Sequence, residues 1–330
     1  MRTHSRALML CATAFMVYAA ASARAGTQQS ADPISLLQRI YAASQKLSYT
    51  GTFVYQHGGD TETSRITRIV DASGAHERLE TLDGVPREIL RTGDDVVCYL
   101  PASMTVKIDK QPGGRSLPAL LPDWSKDLAR NYVIHKGETE RVAGYDSQVL
   151  VLEPKDNMRY GHKLWADVTT GMLLKAKTFD EHGEAMEQFA FTQIQLGGHI
   201  PRELLKSRFA AKGRDWRVDD ARASQTDLSQ AGWSIRAQPP GFRKITEMTR
   251  TLGGLSGVGH IVLSDGLAAV SVFIEPSAPR PAQAYPEQLR HGAFNVYVRQ
   301  LGGHRIIVVG ETPAESVRSI ANAVEYRKPN

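Results

Sequence analysis

The sequence has few cysteines, and it lacks any apolar run long enough to cross a membrane. Only Cys11 and Cys98 occur among its 330 residues, and Cys11 lies in an N-terminal segment that we expect to be removed. One remaining cysteine cannot form an internal disulfide, so buried apolar surface must stabilise the fold. The longest apolar run, residues 7–21, is shorter than the roughly 20 residues that a membrane-spanning helix needs.

The first 25 residues have the pattern of a secretory signal peptide. Two arginines precede the apolar run, and Ala-Arg-Ala follows at residues 23–25, which is a small-x-small cleavage site. We expect cleavage after Ala25, so that Gly26 becomes the new N-terminus and the protein is exported. Leu10, which is not a small residue, precedes Cys11, so we expect no lipidation. Because the apolar run is too short, we also expect no membrane span.

The chain also lacks a strong excess of charge of one sign. Without the signal peptide it has 37 basic and 35 acidic residues, which gives little support for nucleic-acid binding. Basic residues do cluster between residues 202 and 217. We interpret this cluster as a solvated linker, and phosphate binding is the alternative interpretation.

The pattern of the remaining chain predicts an α+β protein of two domains. A helix is predicted at residues 34–47, capped by Asp32, and ten strands between residues 49 and 196 are joined by turns too short for parallel crossovers. The proline-rich residues 110–123 are predicted to cover this sheet.

Five more strands between residues 243 and 309 and a last helix, with a capping box from Thr312 to Glu315, form the second domain. We place the first domain at 26–205, the linker at 206–230 and the second domain at 231–326. The glycine-rich residues 253–259 are interpreted as a mobile loop.

No recognised catalytic or cofactor-binding motif is present. HExxH, P-loop and CxxC patterns are missing, and the histidines are scattered without neighbouring ligands. Cys98 lies in an apolar strand, where cysteine usually behaves as a small buried hydrophobe. We therefore expect no metal, no cofactor and no enzymatic activity, although a hydrolase without a local signature remains a third alternative to the two binding functions given below.

Aromatic residues that alternate along predicted strands share one face of the first sheet. They form either ordinary core or an apolar cavity that holds an acyl chain. The residues predicted to line this cavity or its cover are Tyr49, Phe53, Tyr55, Tyr99, Leu120, Leu121, Trp124, Trp165, Phe189 and Phe191.

Five ordered stretches give the chain its resemblance to a known family. They are LDGVPREILRTGDDVVCYLP (82–101), YGHKLWADVTTGMLLKAKTFDEHGEAMEQFAFTQI (160–194), PPGF (239–242), LSDGLAAVSVFIEP (263–276) and IIVVGETPAESVRSIANAVEY (306–326). In this order they resemble the RseB/MucB family of periplasmic sigma-E regulatory proteins. The resemblance implies a large, curved, antiparallel open half-barrel with covering helices, similar to LolA and LolB, and a small α+β C-terminal domain.

The resemblance also implies a function. Such a protein binds the periplasmic segment of a membrane anti-sigma factor of the RseA or MucA type and shields it from proteolysis, and lipopolysaccharide or another acyl lipid relieves this inhibition. The alternative is a periplasmic lipid or lipoprotein carrier, and the oligomeric state stays open. In the second domain, the apolar residues predicted to contact the partner are Phe242, Leu255, Phe294 and Tyr297; the alternative is that they form that domain's own core.

Overall fold

The computed structural model describes residues 32–110, 125–220, 223–276 and 288–328. The predicted signal peptide and nearly all of the proline-rich cover therefore lie outside the described residues. The first helix, α1 (Pro33–Lys46), buries Leu36, Leu37 and Ile40, as the helical spacing predicts. The predicted side-chain cap is wrong, because Asp32 makes no capping hydrogen bond with its carboxylate, and its carbonyl accepts the Ser35 hydroxyl instead.

Twelve strands form the first sheet, and all ten predicted strands are among them. A second helix, α2 (Ser125–Asn131), precedes the seventh strand. The strands are β1 (Tyr49–His57), β2 (Asp60–Asp71), β3 (Gly74–Thr81), β4 (Glu88–Thr92), β5 (Asp95–Leu100), β6 (Thr105–Lys110), β7 (Tyr132–Val142), β8 (Tyr145–Pro154), β9 (Gly161–Asp167), β10 (Leu173–Phe179), β11 (Ala185–Leu196) and β12 (Arg217–Asp220). The two that the sequence pattern missed are β6 and β12, which are short and rich in charged residues.

The sheet consists of two antiparallel runs that meet at its centre. The strand order is β12-β6-β5-β4-β3-β2-β1-β11-β10-β9-β8-β7, so the join between the runs is the pairing of β1 with β11. A bulge after Thr52 lies in this join. Gly51 is required there, because a Cβ atom at this position would lie 2.6 Å from the carbonyl oxygen of Gln193. Within the described residues the sheet is open, with β12 and β7 as its edges.

Residues 202–220 lie along the first sheet, and the six basic side chains of the predicted solvated linker, residues 202–217, are exposed. We call residues 202–220 the strap. Its chain ends in β12, which pairs in parallel with β6. Earlier in the strap, the carbonyl of Leu204 accepts a hydrogen bond from Arg78, and the hydroxyl of Ser207 donates to the fully buried Glu88. The strap is held because it supplies partners to charged groups that the sheet buries.

Several of the strap's basic residues have acidic partners on the sheet. Arg202 pairs with Asp71, and Arg208 lies 2.5 Å from Glu80. The pairing with Arg202 and hydrogen bonds from Ser73 lower the pKa of Asp71 to about 2, with the Ser73 bonds making the larger contribution. These pairs neutralise part of the basic cluster and leave less charge for a phosphate ligand.

In its described residues, 223–276 and 288–328, the second domain contains a seven-stranded sheet, a two-stranded sheet and one helix. Its elements are β13 (Ser224–Gln225), β14 (Trp233–Ile235), β15 (Arg243–Leu252), β16 (Leu255–Ser264), β17 (Ala269–Pro276), β18 (Gln288–His291), β19 (Phe294–Leu301), β20 (His304–Gly310), α3 (Ala314–Ala323) and β21 (Val324–Tyr326). The larger sheet has the order β13-β15-β16-β17-β20-β19-β18, and β14 pairs with β21. Apolar residues of β17 and β20 form the core with Val317 and Ile320 of α3.

Two local predictions for this domain are wrong. Residues 255–259 are not a loop but the start of β16, and only Gly253 and Gly254 form the turn. The capping box is missing, because α3 has no side-chain cap. The carbonyl of Thr312 instead accepts a hydrogen bond from the buried Asn295, which ties the helix entrance to β19.

A buried ion pair joins the two domains. Arg159, between β8 and β9, lies with its Nη1 2.8 Å from Oδ2 of Asp265, between β16 and β17, and both side chains are fully buried. The hydroxyl of Tyr132 donates to the same carboxylate over 3.0 Å. The guanidinium of Arg159 also lies 5.4 Å from the ring centre of Phe242. Because a buried charge is costly without a partner, this contact fixes the two domains against each other.

A candidate apolar cavity and partner surface

A cavity of about 260 Å³ lies on the first sheet and extends to the second domain. Its apolar wall consists of Phe53, Tyr55, Leu79, Leu164, Ala176 and Phe189, with Leu267 from the second domain. The wall is continuous because β9, β10, β11 and β1 are neighbours, and cross-strand partners share a face. Leu164 is opposite Ala176, which is opposite Phe189, which is opposite Tyr55.

The polar groups at this cavity are largely paired with one another. Arg87 lies 2.9 Å from Glu62, and the hydroxyl of Tyr55 donates to Glu187 over 2.8 Å. Burial and the neighbouring Glu187 raise the pKa of Tyr55, so its hydroxyl stays protonated as a donor. Three carboxylates, of Glu62, Glu187 and Glu311, line the cavity against the one guanidinium of Arg87, so the cavity suits an apolar chain better than an anionic ligand.

His162 is a second titratable group in the cavity wall whose pKa is strongly shifted by burial. Burial lowers the pKa of His162 to about 4, and within the described residues its Nε2 atom is buried without a hydrogen-bond partner. The imidazole is therefore neutral at pH 7 and adds no positive charge to the cavity.

The predicted cavity residues lie in four different places. Phe53, Tyr55 and Phe189 line the cavity. Tyr49 and Phe191 are buried in the adjoining aromatic cluster, where Phe191 contacts the rings of Tyr49 and Phe53. Trp165 and Tyr99 do not line the cavity, as described next, and three residues lie outside the described part of the chain: Leu120, Leu121 and Trp124.

The prediction that Trp165 and Tyr99 line the cavity is wrong. Trp165 follows the cavity residue Leu164 on β9, so strand alternation turns it to the opposite face, where its Nε1 donates to Glu140 over 2.7 Å. Tyr99 packs with Trp216 of the strap, with ring centres 6.4 Å apart. Trp165 thus belongs to the same buried cluster as Phe53 and Phe189 without lining the cavity, and Tyr99 belongs to the contact between the sheet and the strap.

The four predicted partner residues differ in exposure. Phe294 is 37% exposed, whereas Phe242 is only 4% exposed. The prediction that Phe242 is a surface contact is wrong, because its ring covers the buried Arg159. Leu255 is half-buried at the start of β16, and Tyr297 is half-buried against the core of the second domain.

Several site residues were missed by reasoning from sequence. Leu267 and Glu311 reach the cavity from the second domain, and nothing in their local sequence indicates this. Metal-ligating side chains also come together in one group within the described residues, namely His57, Asp60 and His291.

Burial raises the pKa of the Cys98 thiol, which disfavours a thiolate at that position.

Comparison with known families covers both domains in order. Residues 32–209 match the family model of the MucB/RseB N-terminal domain, and residues 227–325 match that of the MucB/RseB C-terminal domain. The chain belongs to the MucB/RseB family. The resemblance found in the sequence is thus confirmed over most of the described chain.

Curated members of the MucB/RseB family are named as regulatory proteins. The sigma factor AlgU regulatory protein MucB of Pseudomonas aeruginosa is 31% identical over 90% of this chain and 92% of its own length. The sigma-E factor regulatory protein RseB of Salmonella typhimurium is 28% identical over 94% of this chain and 97% of its own length.

Solved structures of MucB are similar over the same extent. A crystal structure of MucB in complex with MucA(peri) has a TM-score of 0.67 and 29% identity, and it covers 90% of this chain and 99% of the MucB chain. A second MucA/MucB complex, from Pseudomonas aeruginosa, has a TM-score of 0.68 and 28% identity. In the part of the chain that the structure describes, no helix has the length and apolarity needed to cross a membrane.

Proposed function

We propose that this chain is a periplasmic negative regulator of a sigma-E type envelope-stress response. It binds the periplasmic segment of an anti-sigma factor of the MucA or RseA type and shields that segment from regulated proteolysis. It acts by binding, without catalytic chemistry of its own. The observation that carries the proposal is the similarity, over 90% of this chain, to MucB in complex with MucA(peri).

The first domain supports this function as an open half-barrel of the LolA/LolB type. Its twelve strands form an open sheet in the part of the chain that the structure describes, and long antiparallel sheets twist and curl. A curled sheet with free edges needs a cover on its concave face. The second domain supplies part of that cover through Leu267, which packs into the cluster beneath α1.

The cavity is the proposed site of the lipid that relieves inhibition. Its volume of about 260 Å³ is below the roughly 300–1,000 Å³ of typical small-molecule sites, so it takes part of one acyl chain and not a whole lipid. Each buried methylene contributes about 0.8 kcal/mol. Because both domains line the cavity, an acyl chain that binds there acts on their junction, and a ligand with different affinities for two arrangements shifts their populations.

The partner surface can be tested with Phe294→Ser. We expect the wild-type protein to form a stable complex with the anti-sigma periplasmic segment and to slow its first proteolytic cut. Phe294 is exposed, so the variant should fold normally and yet bind more weakly by about fivefold or more, as for an apolar interface residue that contributes more than about 1 kcal/mol. Calorimetric titration measures the affinity.

The matched control for Phe294 is Val85→Ser, which changes a 70% exposed residue of the first domain. Its affinity should equal that of the wild type. If Phe294→Ser also binds with unchanged affinity, Phe294 is not part of the partner surface. If the wild type forms no complex, the proposed function itself fails.

The lipid site can be tested by filling the cavity with Ala176→Phe. We expect basal binding of the anti-sigma segment to be kept and release by an acyl lipid to require much more lipid, because the added ring occupies the space of the chain. The control is Ala190→Phe on β11, which is opposite Lys175 and therefore on the other face of the sheet. Release by the same lipid concentration in all three proteins would show that the cavity is not the trigger site.

The cavity also favours a second function, that of a lipid or lipoprotein carrier. A carrier would co-purify with lipid and transfer it to an acceptor protein. A regulator would release its partner when lipid binds, without any transfer.

A further inference from the structure

Two hairpin tips, one from each domain, are in contact at the protein surface. The turn between β1 and β2 contains Gly58, and the turn between β18 and β19 contains Gly292. Both glycines have a left-handed backbone, with φ of 56° and 57°. A Cβ atom at Gly292 would lie 3.2 Å from the backbone nitrogen of Gly58. The two backbones therefore lie side by side, and a side chain at Gly292 would be crowded by the backbone of Gly58.

A histidine precedes each of these glycines, and an aspartate completes the group. His57 ends β1, His291 ends β18, and Asp60 begins β2 directly opposite His57. One ligand atom from each of the three side chains lies within 4.8 Å of the other two. Oδ2 of Asp60 is 4.0 Å from Nε2 of His291, and the two imidazole ring centres are 5.3 Å apart.

Buried contacts below the tips hold this arrangement in place. The amide of Gly58 donates to the carbonyl of Met186 over 3.3 Å. Met186 forms a small buried cluster with Tyr160 of the first domain and Ala293 of the second. The hydroxyl of Tyr160 accepts a hydrogen bond of 2.9 Å from Asn295. The tips are thus positioned by packed, satisfied groups, which is what a precise ligand site needs.

We propose that His57, Asp60 and His291 form a binding site for a divalent transition-metal ion such as Zn²⁺, completed by water. Imidazole nitrogens suit zinc, copper and nickel, whereas calcium and magnesium prefer all-oxygen ligand sets. Three protein ligands and at least one water molecule are a common zinc arrangement.

The geometry needs only side-chain movement to close around the ion. Bonds of about 2.0–2.1 Å in a tetrahedral site put ligand atoms roughly 3.4 Å apart, somewhat closer than they lie now. The side chains of Asp60 and His291 are each 70% exposed, so both can change rotamer without disturbing the core. The backbone contact at the two glycines keeps their starting points fixed.

A bound ion would connect the two domains, because its ligands come from both. A ligand that binds only the folded state raises the free energy of unfolding. The site does not depend on the proposed function.

The test is metal titration of the full exported chain, freed of affinity tags and treated with EDTA. We expect one equivalent of Zn²⁺ by calorimetry, visible absorption when Co²⁺ replaces it, and a rise in the unfolding midpoint that EDTA reverses. His57→Gln, Asp60→Asn and His291→Gln should each weaken Zn²⁺ binding at least about tenfold, since even groups one layer outside a metal site commonly contribute that much.

His135→Gln is the matched control, because His135 is an exposed histidine on β7. It should bind Zn²⁺ like the wild type, and all four variants should unfold like the wild type in EDTA. The proposal is overturned if the wild type binds neither ion saturably, if binding survives the three ligand substitutions, or if His135→Gln lowers it equally.

Discussion

His260, in the second domain, couples stability to pH through its burial. It is 7% exposed, its ring stacks on Phe273 at 4.3 Å, and Arg250 lies beside it, paired with Asp109. Burial, reinforced by Arg250, lowers the pKa of His260 to about 4, whereas an unfolded histidine has a pKa of about 6.5. Between these values the unfolded chain binds more protons.

The stabilising contribution of His260 is therefore complete above pH 6.5 and is lost as the pH falls toward 4. We expect the free energy of unfolding to decrease over this range, by up to about 1.4 kcal/mol per pH unit from this residue. His260→Phe keeps the ring contact and should flatten the dependence, measured by urea denaturation from pH 7 to pH 4.5. His162 contributes in the same direction, so part of the slope should remain; an unchanged slope would contradict the assignment.

At the scale of elements, the strap is predicted to depend on close packing at Gly213. This buried residue faces the ring of Tyr99, and a Cβ atom there would lie 2.8 Å from Cε1 of that ring. We expect Gly213→Leu to displace the strap from β6. Trypsin should then cut within residues 202–217, where six arginines and lysines lie, much faster than in the wild type.

Gly59→Leu is the control for proteolysis, because no atom lies within 4 Å of a Cβ at Gly59. It should be as resistant to trypsin as the wild type. If Gly213→Leu is equally resistant, the strap is not held by this contact.

The strap also marks the limit of what the sequence predicts. All ten predicted strands are present in the first sheet, because alternation and turn residues are local signals. The sequence predicted the exposure of the strap's basic residues but not the attachment of the strap to the sheet, because the acidic partners of Arg202 and Arg208 lie more than 100 residues earlier in the chain.

Long-range contacts equally explain the errors at the candidate site. Phe53 and Phe189 could be recognised because they lie on strands with clear alternation. Leu267 could not, because it reaches the cavity only through the docking of the second domain. Trp165 was assigned to the cavity by its chemistry, although the position of its neighbour Leu164 decides which face it occupies.

At the scale of the whole molecule, the ion pair between Arg159 and Asp265 predicts coupled stability of the two domains. Asp265→Asn removes one of the two carboxylates that pair with the fully buried guanidinium of Arg159, and leaves Asp156, which lies 2.9 Å from its Nε. Breaking a buried pair commonly costs about 3–5 kcal/mol, so we expect a loss of stability at or below the lower end of that range. The double variant Arg159→Met/Asp265→Leu should lose less free energy of unfolding than the sum of the losses of Arg159→Met alone and Asp265→Leu alone. Urea denaturation gives the three free energies.

An exposed ion pair provides the control for these measurements of unfolding free energy. Glu315→Gln disrupts the exposed pair with Arg318, and exposed pairs contribute at most about 1 kcal/mol. If the losses in free energy of unfolding caused by Arg159→Met and Asp265→Leu add up to that of the double variant, Arg159 and Asp265 do not stabilise each other.

The join at the centre of the first sheet has a consequence for the order of folding. Gln56 and Gln188 contact each other across β1 and β11, although they are 132 residues apart in the chain. The other antiparallel neighbours in this sheet follow one another along the chain, so the runs β1–β6 and β7–β11 can each form from local contacts. Pairing β1 with β11 closes a loop of more than 100 residues, and this costs conformational entropy. The contacts between β1 and β11 offset that cost only once the pairing is complete. Until β11 is available, β1 has an unpaired edge rich in aromatic residues, and the chain is then most exposed to aggregation.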